Sequence, residues 1–122
     1  MRTRINNINL LVRDVQAAKT FYTTVLGLAE PEERGGPPTM ALLLAGGCTI
    51  SLQDADAMGL APAACEGIEL GFEVEDVDAA WQAMQAAGAE VLGEPVDQSF
   101  GRTFDARDPD GHRLVIFHLK GE

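Results

Sequence analysis

Positive charge is what this chain has least of. Nine Lys and Arg stand against nineteen Asp and Glu, a formal net charge of −10. A nucleic-acid backbone is gripped by basic surface, so the composition excludes nucleic acid as a partner. Cysteine is scarce as well. Cys48 and Cys65 are the only two, and they form no CxxC pattern. Both are expected as reduced thiols in a cytoplasmic protein, not as a disulfide. No apolar run approaches membrane-spanning length, and the opening MRTRINNINL carries no apolar stretch long enough for a secretory signal. Neither a membrane nor an export route is expected.

What the chain does have is apolar material and a repeat. With 46% hydrophobic residues, its 122 residues can build one core for a single domain spanning 1–122. Residues 5–18, INNINLLVRDVQAA, return as residues 67–80, GIELGFEVEDVDAA. At an offset of 62, Val12, Asp14, Val15, Ala17 and Ala18 become Val74, Asp76, Val77, Ala79 and Ala80. At an offset of 64, Thr39, Met40 and Gly47 become Thr103, Phe104 and Gly111. Repetition over so much of a short chain predicts two similar modules, about 1–57 and 67–122, with a linker at about 58–66.

Each module has the same order of signals. Ile5 to Val12 alternates, with Ile8, Leu10 and Val12 on one face and Asn7 and Asn9 on the other. Asp14 has helix-capping chemistry, apolar residues then recur at helical spacing to Leu26, and Gly27 supplies the stop. The breaker-rich EPEERGGPP (Glu30 to Pro38) leads to strands at Met40 to Leu44 and Cys48 to Leu52. In the second half Leu70, Phe72 and Val74 form one strand face. Asp76 caps a helix with Val77, Ala80, Trp81, Met84 and Ala87 on its stripe, and Gly88 ends it. Short strands at Ala89 to Leu92 and Arg102 to Ala106, the turn DPDGH (Asp108 to His112) and a strand at Leu114 to Leu119 complete it. The expected fold is α+β: two tandem βαβββ modules forming a curved mixed sheet, an open cup, with helices on the outer face.

These residues resemble the vicinal oxygen chelate superfamily of glyoxalases, bleomycin resistance proteins and ring-cleaving dioxygenases. The resemblance rests on VRDV with Phe21-Tyr22 and Leu26-Gly27-Leu28, on VEDVD with Ala87-Gly88, and on the tail FGRTFDARDPDGHRL. It covers almost the whole chain and implies fold more than chemistry. In the family's enzymes a divalent cation is held by one ligand from the first strand and one from the last strand of each module. The corresponding positions here are Asn7, Ser51, Glu69 and Val115. A catalytic divalent site needs three or more strong N/O donors, and this set offers one carboxylate, an amide, a hydroxyl and a valine. Shifting the register by one residue turns other side chains to the other face. The two histidines, His112 in the turn and His118 on the last strand, occupy none of these positions. Comparison with the family therefore implies no metal, no cofactor and no catalytic residue.

If Asn7 and Glu69 face inward, alternation sends Asn9, Gly71, Glu73, Thr49, Gln53, Arg113 and Phe117 the same way. The candidate ligand-binding residues are thus Asn7, Asn9, Ser51, Gln53, Glu69, Glu73, Arg113, Val115 and Phe117, polar groups on a surface whose apolar walls also take in Ile5 and Leu11 by the same alternation. The stretch FGRTF, Phe100 to Phe104, is a candidate to line the mouth; Arg102 and Phe104 alternate onto one face of it and are added because the family often places an aromatic and an Arg of this tail near the pocket. Glu69 has four open roles: general base, anchor for a cationic ligand, partner for Arg113, or a solvated carboxylate. Trp81 is expected in the helix stripe. Met58 and Leu60 belong either to an adaptable lid or to a plain connector.

Three functions are consistent with these residues. One is a metal-independent binding protein, sequestering a cationic or aromatic antibiotic or metabolite. Another is a glyoxalase-type lyase or isomerase, or a dioxygenase, using a metal or Glu69. The last is an accessory dimer with an unused cup. The resemblance implies a homodimer in each case.

Overall fold

The structure, a computed structural model of the chain, describes residues 1–32, 38–61 and 66–121. Cys65, most of the Glu30 to Pro38 stretch and part of the expected linker lie outside these residues. The chain divides into two compact units, Met1–Ala63 and Ala64–Glu122. It is α+β, with a sheet in each unit. No helix among the described residues is long and apolar enough to cross a membrane.

The first unit opens with β1 (Asn7–Val12) and α1 (Val15–Thr20), which runs on into a wider π-helical turn, Phe21–Val25. Two strands come next, β2 (Met40–Leu44) and β3 (Thr49–Asp54). Their order is β1-β3-β2, with β1 and β3 parallel and β2 antiparallel to β3. The short strand expected after the helix is reduced to a single bridge, Ala29 to Leu44. Leu10, Val12, Ile50, Leu52 and Leu43 are buried with Ala18, Phe21 and Tyr22 of the helical segment. Phe21 and Tyr22 meet edge to face, with ring centroids 5.1 Å apart.

The second unit repeats the plan. It contains β4 (Glu69–Glu73), α2 (Val77–Ala86), β5 (Glu90–Val91), β6 (Val96–Asp97), β7 (Gly101–Arg107) and β8 (Arg113–Leu119). The sheet order is β4-β8-β7-β5, with β4 and β8 parallel and β7 antiparallel to its neighbours. Strand β6 shares the β5 edge of β7, pairing Val96 with Thr103. Its core is Val77 and Met84 of α2 against Phe104, Ala106, Leu114 and Ile116.

The repeat survives in the cap geometry. Asp14 and Asp76 are both extended, at φ −139° and −132°, and each carboxylate accepts from the backbone N–H three residues on, Ala17 at 3.1 Å and Ala79 at 3.0 Å. Gly27 and Gly88 end the two helical segments at φ 76° and 78°, where a side chain would be strained. From Asp14 to Gly27 is one position further than from Asp76 to Gly88. The first helix takes up that extra residue in its π turn, where Leu26 N–H reaches back five residues to the Phe21 carbonyl.

Candidate functional site

Each sheet has one face against its helix and one face opposite it. In the first unit, pairing sets Asn7 beside Thr49, Asn9 beside Ser51 and Leu11 beside Gln53, all on the face away from Ile50 and Leu52. The polar groups there close on one another. The Asn7 carbonyl oxygen accepts from the Thr49 hydroxyl at 2.6 Å and from the Ser51 hydroxyl at 2.9 Å. Asn7 Nδ2 donates to Asn9 Oδ1 at 2.8 Å. Ser51 is buried.

In the second unit the corresponding pair is Glu69 beside Arg113, with Gly71 beside Val115 and Glu73 beside Phe117. Arg113 Nε donates to Glu69 Oε2 at 3.1 Å, and its Nη2 donates to Asp105 Oδ2 at 3.2 Å. Glu73 Oε2 accepts from the Leu119 N–H at 3.0 Å. A Cβ on Gly71 would stand 3.2 Å from Phe117 Cε1, so the phenyl ring lies against bare backbone. Beyond Arg113, Arg107 pairs with Glu66 at 2.8 Å and Glu90 at 3.5 Å. The Arg107 hydrogen bond holds the Glu66 carboxyl below its usual range.

A cleft of about 490 Å³ opens on this face of the second unit. That falls within the roughly 300–1,000 Å³ of small-molecule sites. Glu69, Thr103, Asp105 and Val115 form its floor, and the segment from Leu92 to Phe100 forms its wall. The wall is apolar and open to solvent at Leu92 (40% exposed), Val96 (47%) and Phe100 (48%). Three carboxylates border the cleft, those of Glu69, Glu94 and Asp105. Arg113 serves two of them, and Glu94 makes no ion pair among the described residues. The cleft therefore keeps a negative balance.

Of the residues expected from the sequence, Glu69 and Val115 border this cleft, while Glu73, Arg113 and Phe117 share the face outside its lining. Asn7, Asn9, Ser51 and Gln53 stand together on the first sheet. Arg102 is turned the other way. It reaches α2, giving Nε and Nη2 to Asp78 at 3.0 Å each and Nη1 to Asp97 at 3.0 Å. Phe104 alternates onto the same face, and although it borders the cleft it is only 2% exposed in the core beside Ile116. His118 Nδ1 lies 2.7 Å from the Val74 carbonyl oxygen, and His112 Nδ1 lies 2.7 Å from Asp108 Oδ2 in the turn. Trp81 is half-buried and donates Nε1–H to the Gly93 carbonyl at 2.9 Å, bracing the cleft wall from the helix. Met58 and Leu60 are exposed.

The FGRTF stretch, Phe100 to Phe104, is expected at the mouth, and Phe100, Thr103 and Phe104 border the cleft; Leu92, Glu94, Val96, Gln98 and Asp105 were missed. Thr103 and Asp105 carried a usable signal, since they alternate with Arg102 and Phe104 and must take the opposite face. The wall from Leu92 to Gln98 carried none, because its contact with the floor depends on β6 pairing.

The fold family implies a divalent metal, and the donors here do not fit one. Val115 offers no donor. Asn7 already accepts two hydroxyl hydrogen bonds, and Ser51 spends its hydrogen on Asn7. Glu69 already accepts from the Arg113 guanidinium, whose positive charge disfavours a cation beside it. Among the described residues no group of three or more His, Cys, Asp or Glu is placed to hold a metal ion.

The family model for the Glyoxalase/Bleomycin resistance protein/Dioxygenase superfamily matches residues 4–116. No curated protein matches the chain. A protein from Agrobacterium tumefaciens, solved in solution by NMR, is similar at 33% identity and TM-score 0.78, over 98% of this chain and 100% of its own. A glyoxalase-related enzyme from Fulvimarina pelagi is similar at 21% identity and TM-score 0.79, over 96% of this chain and 88% of its own. A lactoylglutathione lyase from Agrobacterium tumefaciens has TM-score 0.71 at 20% identity, over 96% of this chain and 94% of its own. The last two likenesses speak for the fold alone.

Proposed function

The chain belongs to the Glyoxalase/Bleomycin resistance protein/Dioxygenase superfamily, and on that premise we propose that it binds a small organic cation with an aromatic or apolar body, without a divalent metal. The observation that carries this reading is the same in both sheets. The first-strand oxygen that the family's enzymes give to a cation already accepts from a side chain of the neighbouring strand: Asn7 from Thr49 and Ser51, Glu69 from Arg113. A metal would have to break those contacts and would gain nothing from Val115. The cleft suits a different guest. Phe100, Val96 and Leu92 offer apolar contact, and Glu94 offers an uncommitted carboxylate among the described residues.

On this reading the protein sequesters its ligand, as a homodimer in the cytoplasm. The test is a thermal-shift screen of aromatic amines, with recovery of the bound compound. The expected result is a stabilising amine recovered chemically unchanged, from protein that takes up no stoichiometric Ni, Zn, Mn or Fe(II). Turnover of that amine, abolished in Glu69→Gln, would replace sequestration with catalysis. Tight stoichiometric metal binding would return the chain to the family's metal chemistry.

A further inference from the structure

Thr103 is the one side chain on the cleft floor whose chemistry is left unused. It is 7% exposed, and its hydroxyl is the buried polar atom without a hydrogen-bond partner among the described residues. Buried polar groups are nearly always paired, because an unpaired one loses its water for nothing. Packing does not call for a hydroxyl here. Phe117 and Val96 are its cross-strand neighbours, Val115 lies next to Phe117 on the same strand face, and a valine would fill the same volume. Thr103 also borders the cleft, on the face that carries Asp105 and Val115. Rotation about its Cα–Cβ bond exchanges hydroxyl and methyl, and both arrangements are ordinary for threonine on a strand.

We propose that Thr103 is a specificity-determining residue of the cleft, its hydroxyl held for a ligand that carries a neutral hydroxyl or carbonyl oxygen as well as its cationic group. This rests on the cleft as the binding site proposed above. The hydroxyl both donates and accepts, so it serves a phenol or a carbonyl equally. Glu94 takes the positive charge, and the exposed Phe100 and Val96 take the ring. The ligand class is thus a hydroxylated aromatic amine in preference to the bare aromatic amine.

Two probes that differ by one phenolic hydroxyl, tyramine and phenethylamine, separate these contributions by titration calorimetry. The wild-type protein is expected to bind tyramine about tenfold more tightly, roughly one hydrogen bond's worth of discrimination. In Thr103→Val the two affinities converge, and in Thr103→Ser the preference returns. The melting temperature of ligand-free Thr103→Val stays level or rises, because an unpaired hydroxyl has been removed, which shows that the fold is intact. A wild-type preference that persists in Thr103→Val overturns the role of Thr103 and leaves the cleft as the site, as does wild-type protein that binds both amines equally. If neither amine binds, both the residue assignment and the cationic-ligand reading fall.

Discussion

Arg102 shows how much one side chain can organise without touching a ligand. It holds Asp78 with two nitrogens and Asp97 with a third, joining the first turn of α2 to the strand that edges the cleft. The Arg102 hydrogen bond holds the Asp78 carboxyl below its usual range. A carboxyl lowered in the folded state stabilises the fold at pH above the unfolded value, and the contribution is lost as pH falls through the folded one. Asp78→Asn should therefore melt below wild type near pH 7, with the gap closing as pH drops below about 4, the ordinary Asp range. Melting curves from pH 7 to 2.5 check this, and a gap independent of pH would refute it. Both partners are partly exposed, so the effect is modest and shrinks in salt. Much at this scale was legible from the chain. Glu69 with Arg113 was one of four readings open to it, and the strand pairing selects that one. The Asn7, Thr49 and Ser51 contacts were not legible, because they depend on β1 and β3 lying side by side in one register. Arg102 could be assigned a partner face only once α2 was seated.

At the scale of elements, the two helices begin with the same device. Asp14 and Asp76 each satisfy a backbone N–H that has no partner within the helix. Replacing Asp76 with Ala should cost about 1 kcal/mol, as N-cap losses typically do. Urea unfolding of Asp76→Ala and Asp76→Asn measures it, with Asn expected to recover most of the loss. Alternation and capping made most strands and both helices readable in advance, because a half-buried element writes its period into the sequence. Two parts escaped. A two-residue strand such as Val96–Asp97 has no period to read and forms because β5 leaves the far end of the β7 edge open. The strand expected after the first helix shrinks to one bridge at Ala29, which alternation alone does not foretell.

For the whole molecule, the decisive quantity is the formal charge of −10. A field of that sign draws cations toward any cleft and repels anions, and salt screens it within about 10 Å at 0.1 M. Binding of an aromatic amine should weaken several-fold between 20 mM and 500 mM salt, whereas a neutral aromatic alcohol of the same shape should bind alike at both. Calorimetry at the two ionic strengths decides it, and an amine that binds alike at both would point to apolar contact alone.

The wide turn at Phe21–Val25 has a meaning beyond local geometry. A single codon gained or lost within a helix ordinarily turns every later side chain by about 100° and unseats the contacts those side chains make. Here the change was accepted, because one loosened turn took it up and returned the chain to its glycine stop. The two copies could then diverge in length as well as in composition, one residue at a time, while the strands on either side kept their pairing.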